Sequence, residues 1–233
     1  MSELERLVFG GAEPGSPLPS ESELAEELSV SRLTVREAFK SLQARGLIQV
    51  RQGRRPVIAP LSAIAIEDFF AASVRMDPRN YLDLLEARRA IETHIAGLAA
   101  TRSSRMAVLA MEESLAAMRR SIDDPTAFNA ADVRFHEALA AASGNRILTF
   151  LIEAMQQPLH NSRLQSRRGH VVRGRPLIQV IDEHAAILRC VVDADPAGAA
   201  AAMRDHLAQT EQSLYAALGL PSQLLGDDEG SPA

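Results

Sequence analysis

Residues 18–60 read LPSESELAEELSVSRLTVREAFKSLQARGLIQVRQGRRPVIAP, and this stretch decides how the chain is organised. Ser20 followed by Glu23 fits a capping box, in which hydroxyl and carboxylate satisfy each other's free N–H groups, so a helix is predicted from Ser20 to about Leu28. A three-residue corner, Leu28 to Val30, leads to Ser31, whose side chain can cap a second helix carrying Arg32, Thr34 and Arg36 in its first turns. Leu24, Leu28, Val30, Val35, Phe39 and Leu42 keep helical spacing and would pack the two helices together, which turns Arg32, Thr34, Arg36 and Lys40 outward. Gly46 ends the second helix. Ile48 to Val50 and Val57 to Ala59 then read as short strands around a turn holding Arg51, Gly53, Arg54 and Arg55, with Pro56 opening the return strand.

From Ser31 to Pro56 seven basic residues (32, 36, 40, 45, 51, 54 and 55) stand against one acid, Glu37, in a chain of formal net charge −5. Local basicity in an acidic protein is what a phosphate-facing surface requires. The N-terminal half of the second helix is also the end that enters the major groove in helix-turn-helix proteins. With these residues in place, LPSE, the VSR corner, TVREA, the LQARGLI exit and the glycine-containing wing resemble, in order and without a gap, the winged helix-turn-helix of the GntR family of bacterial transcription regulators. There are two departures. The wing has Arg54 and Arg55 where many members have a second glycine, and Met1 to Leu18 leaves only Glu3 to Phe9 for the first helix, between breakers at Gly10, Gly11, Pro14, Gly15 and Pro17. The resemblance implies DNA contacts from Ser31, Arg32, Thr34, Arg36 and Lys40 on the helix and from Gly53, Arg54 and Arg55 on the wing.

A length of 233 residues allows one large or two modest domains. Hydrophobic content of 46% with 4% aromatics and no Trp points to a core of Ala, Leu, Ile, Val and Met, which favours packed helices. Cys190 is alone, so no intrachain disulfide can form, in keeping with a reducing cytoplasm. No signal peptide is visible, and no run reaches the roughly 18 apolar residues of a membrane span. The fold class expected is mainly α: a winged helix-turn-helix over 1–60, a linker and short helix over 61–76, an all-helical bundle of six or seven helices over 77–220, and a disordered tail over 221–233.

Cap and stop residues divide the bundle. Asp77 with Pro78 opens a helix to about Arg102, Ser103 or Ser104 caps the next to near Asp123, and Asp124 with Pro125 opens one stopped by Gly144. Asn145 can cap a long helix expected to break around Gly169 to Gly174, and two more run from about Arg175 to Val192 and from Pro196 to Leu218.

Asp132 and His136, four apart, leave one helix face together. His184 lies ten residues before Ala194 at the last turn and His206 twelve after it, so in an antiparallel hairpin both sit at one level of the bundle, about 15–18 Å from the turn. Three imidazoles and a carboxylate suit a divalent transition ion such as Zn, Ni, Co or Mn. The competing reading makes Asp132–His136 a surface pair and has Glu183 and Asp205 satisfy the other two histidines. Arg88 falls on the apolar stripe Leu84, Leu85, Ile91, Ile95 and Leu98, where a guanidinium needs an anion: a bound acid, or an internal partner such as Glu86 or Glu92. His94 reads as a packed or rim residue, with a cavity-facing position as the alternative, and His160 and His170 have no evident partner. Arg163, Arg167, Arg168, Arg173 and Arg175 read as a solvated basic run, with guarding the mouth of a cavity in the bundle as the alternative.

ADVRFHEALAAASGN, DEHAAIL and AAMRDHL resemble the FCD effector domain of one large GntR subfamily. That resemblance implies metal ligation by Asp132, His136, His184 and His206, with Arg88 reaching into a cavity that holds a small carboxylate effector. The function expected is a homodimeric regulator, a repressor by default, that binds a short palindromic operator in double-stranded DNA. A metal-responsive regulator and a helical-bundle metalloenzyme are the alternatives. Against the enzyme, no glutamate stands where a general base is needed, and neither a nucleophile elbow nor a phosphate loop is present.

Overall fold

The computed structural model describes residues 2–11, 13–77 and 80–219, which form two compact units divided between Asp68 and Phe69. The expected disordered tail and Pro78 lie outside the described residues.

In the first unit α1 (Ser2–Phe9), α2 (Glu21–Glu27) and α3 (Arg32–Ala44) precede a two-stranded antiparallel sheet of β1 (Ile48–Gln49) and β2 (Val57–Ile58). The capping box forms as the sequence predicts: Ser20 Oγ accepts from Glu23 N at 3.2 Å, and Glu23 Oε2 accepts from Ser20 N at 2.7 Å. Ser29 makes the corner in a left-handed conformation (φ 52°), and Ser31 Oγ accepts from Thr34 N at 3.1 Å to start α3. Ile48 pairs with Ile58 and Gln49 with Val57, so the strands are two residues each, shorter than expected. Pro17 bridges to Val57 on the other edge of β2. The first helix, doubtful from sequence, does form: Leu4 and Val8 join Leu18, Leu24, Val35, Phe39, Leu42, Ile48 and Ile58 in one buried cluster.

Helix α4 (Ile64–Met76) buries no residue in its own length and crosses the division between the units. The second unit contains α5 (Asn80–Arg102), α6 (Arg105–Arg120), α7 (Pro125–Ala142), α8 (Arg146–Gln156), α9 (His160–Val172), α10 (Leu177–Val192) and α11 (Pro196–Leu218). Ser104, Asp124, Asn145 and Asp195 each accept a backbone N–H at a helix start. Alanines at 96, 99, 131, 140 and 199 are fully buried, which lets the helices approach closely around Ile95, Met111, Phe135, Leu139, Ile181 and Met203.

The helix does end within the expected range, at Val172 with Gly174 at φ 66°, but it is not continuous from Asn145. A further break falls at Gln157–Leu159, between α8 and α9, because Pro158 has no N–H to give the ladder and disfavours helix in the residue before it. Gly169 is an interior residue of α9: a Cβ there would sit 1.5 Å from the backbone oxygen of Ser213 in α11. It is a contact point between two helices. The basic run is corrected too. Arg163 is buried, Arg173 hydrogen-bonds Gln209, Gln212 and Ser213, and Arg175 pairs with Glu183 at 2.6 Å.

Candidate metal centre and nucleic-acid interface

On α3 the apolar face Val35, Phe39 and Leu42 is buried, and Ser31, Arg32, Thr34, Arg36 and Lys40 are exposed, as are Gly53, Arg54 and Arg55 of the wing. Gly53 takes φ 70°, the left-handed region its turn requires. Acids from outside the basic stretch reach into it. Glu21 takes Arg36 through Nε at 3.1 Å and Nη2 at 3.0 Å, Glu23 takes Arg55 at 2.6 Å, Glu5 takes Arg45 at 2.5 Å, and Glu37 takes Lys40 at 2.9 Å. Among the described residues Arg32, Arg51 and Arg54 have no ion-pair partner. The free cationic surface is therefore narrower than the residue count implied, and it is concentrated at the start of α3 and the wing tip.

In the second unit the four residues picked out by spacing come together. One donor atom from each of Asp132, His136, His184 and His206 lies within 4.8 Å of the others. His136 Nε2 and His184 Nε2 are 3.3 Å apart, and Asp132 Oδ1 is 3.2 Å from His184 Nε2 and 3.9 Å from His136 Nε2. All three imidazoles are buried. Each has its other nitrogen engaged: His136 Nδ1 with Glu92, His184 Nδ1 with the Val180 carbonyl at 2.7 Å, and His206 Nδ1 with Glu183 at 3.0 Å. Burial alone would raise Glu92 and Glu183, but the donors paired with them win. Arg88 and His136 hold Glu92 well below the usual carboxylate range, and His206 and Arg175 lower Glu183.

These partners are acceptors, so each Nδ1 carries the hydrogen and each Nε2 presents a lone pair. Three lone pairs and a carboxylate thus converge on one point. Asp132 stays ionised because, against burial, its neighbours His184, His136 and Arg163 hold it well below the usual range. Burial, and then the neighbouring His184, push His206 down to about 4, so it is the free base at neutral pH. The chemistry of this donor set fits a divalent transition ion, and the competing reading survives only in part: Glu183 does hold His206, but from the nitrogen that points away from the cluster.

Beside the cluster lies a cleft lined by Arg88, Asn129, Asp132, Arg163, Arg167 and His170 among others. Arg88 Nε donates to Glu92, the internal partner weighed from sequence, while its Nη2 is buried without a partner among the described residues. Arg163 Nε lies 3.4 Å from Asp132 Oδ2 but out of hydrogen-bond alignment. Arg167 Nη1, His170 Nδ1 and Asn129 Oδ1 are also unsatisfied. Unmet polar groups around a cleft, here N–H donors and the Asn129 acceptor, cost stability unless a ligand or water meets them.

His170 carries a pH prediction. Burial and the nearby Arg175 and Arg173 outweigh Glu183 and push it from 6.5 down to about 4. A folded value below the unfolded one means stability present above pH 6.5 and lost as pH falls towards 4. Between those limits the thermal midpoint should drop less steeply in His170→Gln than in the parent; parallel curves would show that His170 does not titrate as stated.

Two family models match the chain: the FCD domain over residues 83–209 and the bacterial regulatory proteins of the gntR family over residues 4–58. The chain belongs to the GntR family. It is 31% identical over 218 residues to the Glc operon transcriptional activator of Escherichia coli K12, covering 91% of this chain and 86% of that protein. The HTH-type transcriptional regulator LutR of Bacillus subtilis is 31% identical over 206 residues (88% and 94%), and the galactonate operon transcriptional repressor of E. coli K12 is 30% identical over 217 (90% and 92%). Among solved structures, Streptococcus agalactiae GntR superposes with a TM-score of 0.71 at 28% identity, covering 91% of this chain and 97% of that one. This GntR-family chain is a transcription regulator with a winged helix-turn-helix and a helical FCD domain, not an enzyme, so the metalloenzyme alternative falls. No helix among the described residues is long and apolar enough to cross a membrane.

Sequence reasoning named Glu92 only as a partner of Arg88, weighed Arg163 and Arg167 chiefly as solvated, and missed Asn129 in this GntR-family site. Glu92 follows Arg88 by one helical turn, a signal that was available, and it joins Arg88 to His136. Asn129, Arg163 and Arg167 gave none, because which face of α7 or α9 meets the cleft depends on distant packing. His94 is exposed, and His160 Nδ1 meets Asn129 Nδ2 at 3.2 Å.

Proposed function

We propose that this chain is a homodimeric cytoplasmic regulator, a repressor by default, whose operator binding responds to a small organic acid held beside a divalent transition ion in the helical domain. The observation that carries the reading is the pairing of a converged Asp132–His136–His184–His206 donor set with unpartnered guanidinium N–H groups in the same cleft. Asp132 and the three Nε2 atoms would hold the ion, which supplies a Lewis-acidic point for a ligand oxygen. Arg88 would take the carboxylate through its free Nη2. Among the relatives, one named for the galactonate operon is a repressor and one named for the Glc operon is an activator; a sugar-acid operon is in keeping with an acid effector. Regulation requires that the acid bind two dimer arrangements unequally, since equal affinity shifts nothing.

Operator contacts are assigned to Ser31, Arg32, Thr34, Arg36 and Lys40 in the major groove and to Gly53, Arg54 and Arg55 at the wing. Arg36→Ala should weaken binding to the promoter beside the protein's own gene by about tenfold or more in a mobility-shift titration, the loss typical of one good base contact. Unchanged affinity would remove Arg36 from the interface. Parent affinity should also fall by at least about tenfold between 50 and 200 mM salt if several phosphates are contacted; a flat response rejects the basic face. A metal-only signal is the second reading, favoured by the completeness of the donor set. Chelation separates the two: if metal alone toggles DNA binding and no acid alters it, the ion is the signal.

A further inference from the structure

The unsatisfied groups in the cleft are arranged on two levels. Arg163, Arg167 and His170 stand four and seven residues apart on α9, so they share one face. Arg163 meets Asp132 of α7, whereas Arg167 lies over the Phe128 ring at 5.5 Å, one turn earlier in α7. Ser166 hydrogen-bonds the Thr210 carbonyl, one turn beyond His206 in α11. The inner level therefore holds the Asp132–histidine cluster with free N–H groups on Arg88 and Arg163, and the outer level, about 6 Å away at one helical turn, holds free groups on Arg167 and His170. Arg88, Arg163 and His170 are all more than nine-tenths buried.

Charge agrees with this layout. The guanidinium groups of Arg88, Arg163 and Arg167 line the cleft against Asp132, with Glu92 behind, which leaves one positive charge in excess before any cation is bound. A monocarboxylate would satisfy one level and leave buried donors on the other. Phe128, Leu164, Leu177 and Val180 offer apolar walls between the levels for methylene groups.

We infer that the cleft is built for a short-chain dicarboxylic acid: one carboxylate on Arg88 and Arg163 beside the histidine cluster, the other one helical turn away on Arg167 and His170. The inference rests on the acid-effector reading above and narrows it to diacids. Arg167 and His170 are then the residues that set specificity, and a ligand's second acid group is what they select.

The test is calorimetric titration of the full-length, metal-bearing protein with glutarate and adipate against pentanoate and hexanoate. The diacids should bind at least about tenfold more tightly than monoacids of equal length, as a second charge-assisted contact requires. Arg167→Gln should bring diacid affinity to within threefold of monoacid affinity while monoacid binding and metal content stay unchanged. Arg167→Lys, which keeps the charge, should retain the preference. Because Arg167 Nη2 also bonds the Ile122 carbonyl at 2.7 Å, circular dichroism checks folding, and His170→Gln reads the same selectivity without touching that bond. Equal affinity for diacids and monoacids overturns the second anchor and leaves the acid-effector reading standing. Failure of all four acids to bind overturns both.

Discussion

Gly169→Ala should destabilise the helical domain by about 3 kcal/mol or more, at or beyond the upper end of what overpacking a core costs. The added methyl would stand 1.5 Å from the Ser213 oxygen and 2.4 Å from its carbonyl carbon, and both are backbone atoms of α11. A side chain in the way could rotate; a helix backbone has to move as a body. Separating α9 from α11 would also strain the Ser166 bond to the Thr210 carbonyl and the Arg173 bond to Ser213 at 2.9 Å. For a domain of this size the thermal midpoint should fall by roughly 6–12 °C. Gly174→Ala is the control, because Gly174 meets nothing within 4 Å and carries only the penalty of its φ of 66°. A midpoint within 2 °C of the parent in Gly169→Ala would mean the two helices are not in contact there.

That glycine also marks where sequence reading runs out. Helix starts were legible because a cap is local: Ser20, Ser31, Ser104, Asp124, Asn145 and Asp195 each bond an N–H two or three residues on. The meeting of His184 and His206, whose rings are 4.2 Å apart, was legible because one turn lies almost midway between them. Gly169 looked like a stop because the atom that demands a glycine belongs to a residue 44 positions further on. Arg163 looked solvated for the same reason: its acid, Asp132, is on another helix. On α3 and the wing the count of basic residues overstated the free charge because Glu5, Glu21 and Glu23 lie outside the stretch counted and fold back onto Arg45, Arg36 and Arg55.

The second large effect concerns the metal. His184→Ala combined with His206→Ala should abolish stoichiometric metal in an elemental assay after dialysis, because it removes two of three imidazoles and leaves Asp132 and His136 as the only ligands of the four. In the parent, chelation should lower stability by about 4 kcal/mol if the ion is present at a thousand times its dissociation constant, a midpoint shift of roughly 8–16 °C. The physical reason is the lone-pair arrangement: without a cation the two Nε2 atoms 3.3 Å apart repel each other and Asp132. The double variant should be indifferent to chelator. Full metal retention in that variant would dissolve the cluster as a binding site, and a chelator response equal to the parent's would place the ion elsewhere.

Glu92 gives one carboxylate oxygen to Arg88 Nε and the other to His136 Nδ1. A guanidinium and an imidazole that share a single acid are not independent: whatever draws charge from one alters how firmly the acid grips the other. In the regulator proposed above, an ion at one end of that bridge and an acid at the other would thereby be linked. Linkage is reciprocal, so the factor by which an acid ligand tightens the ion equals the factor by which the ion tightens the acid.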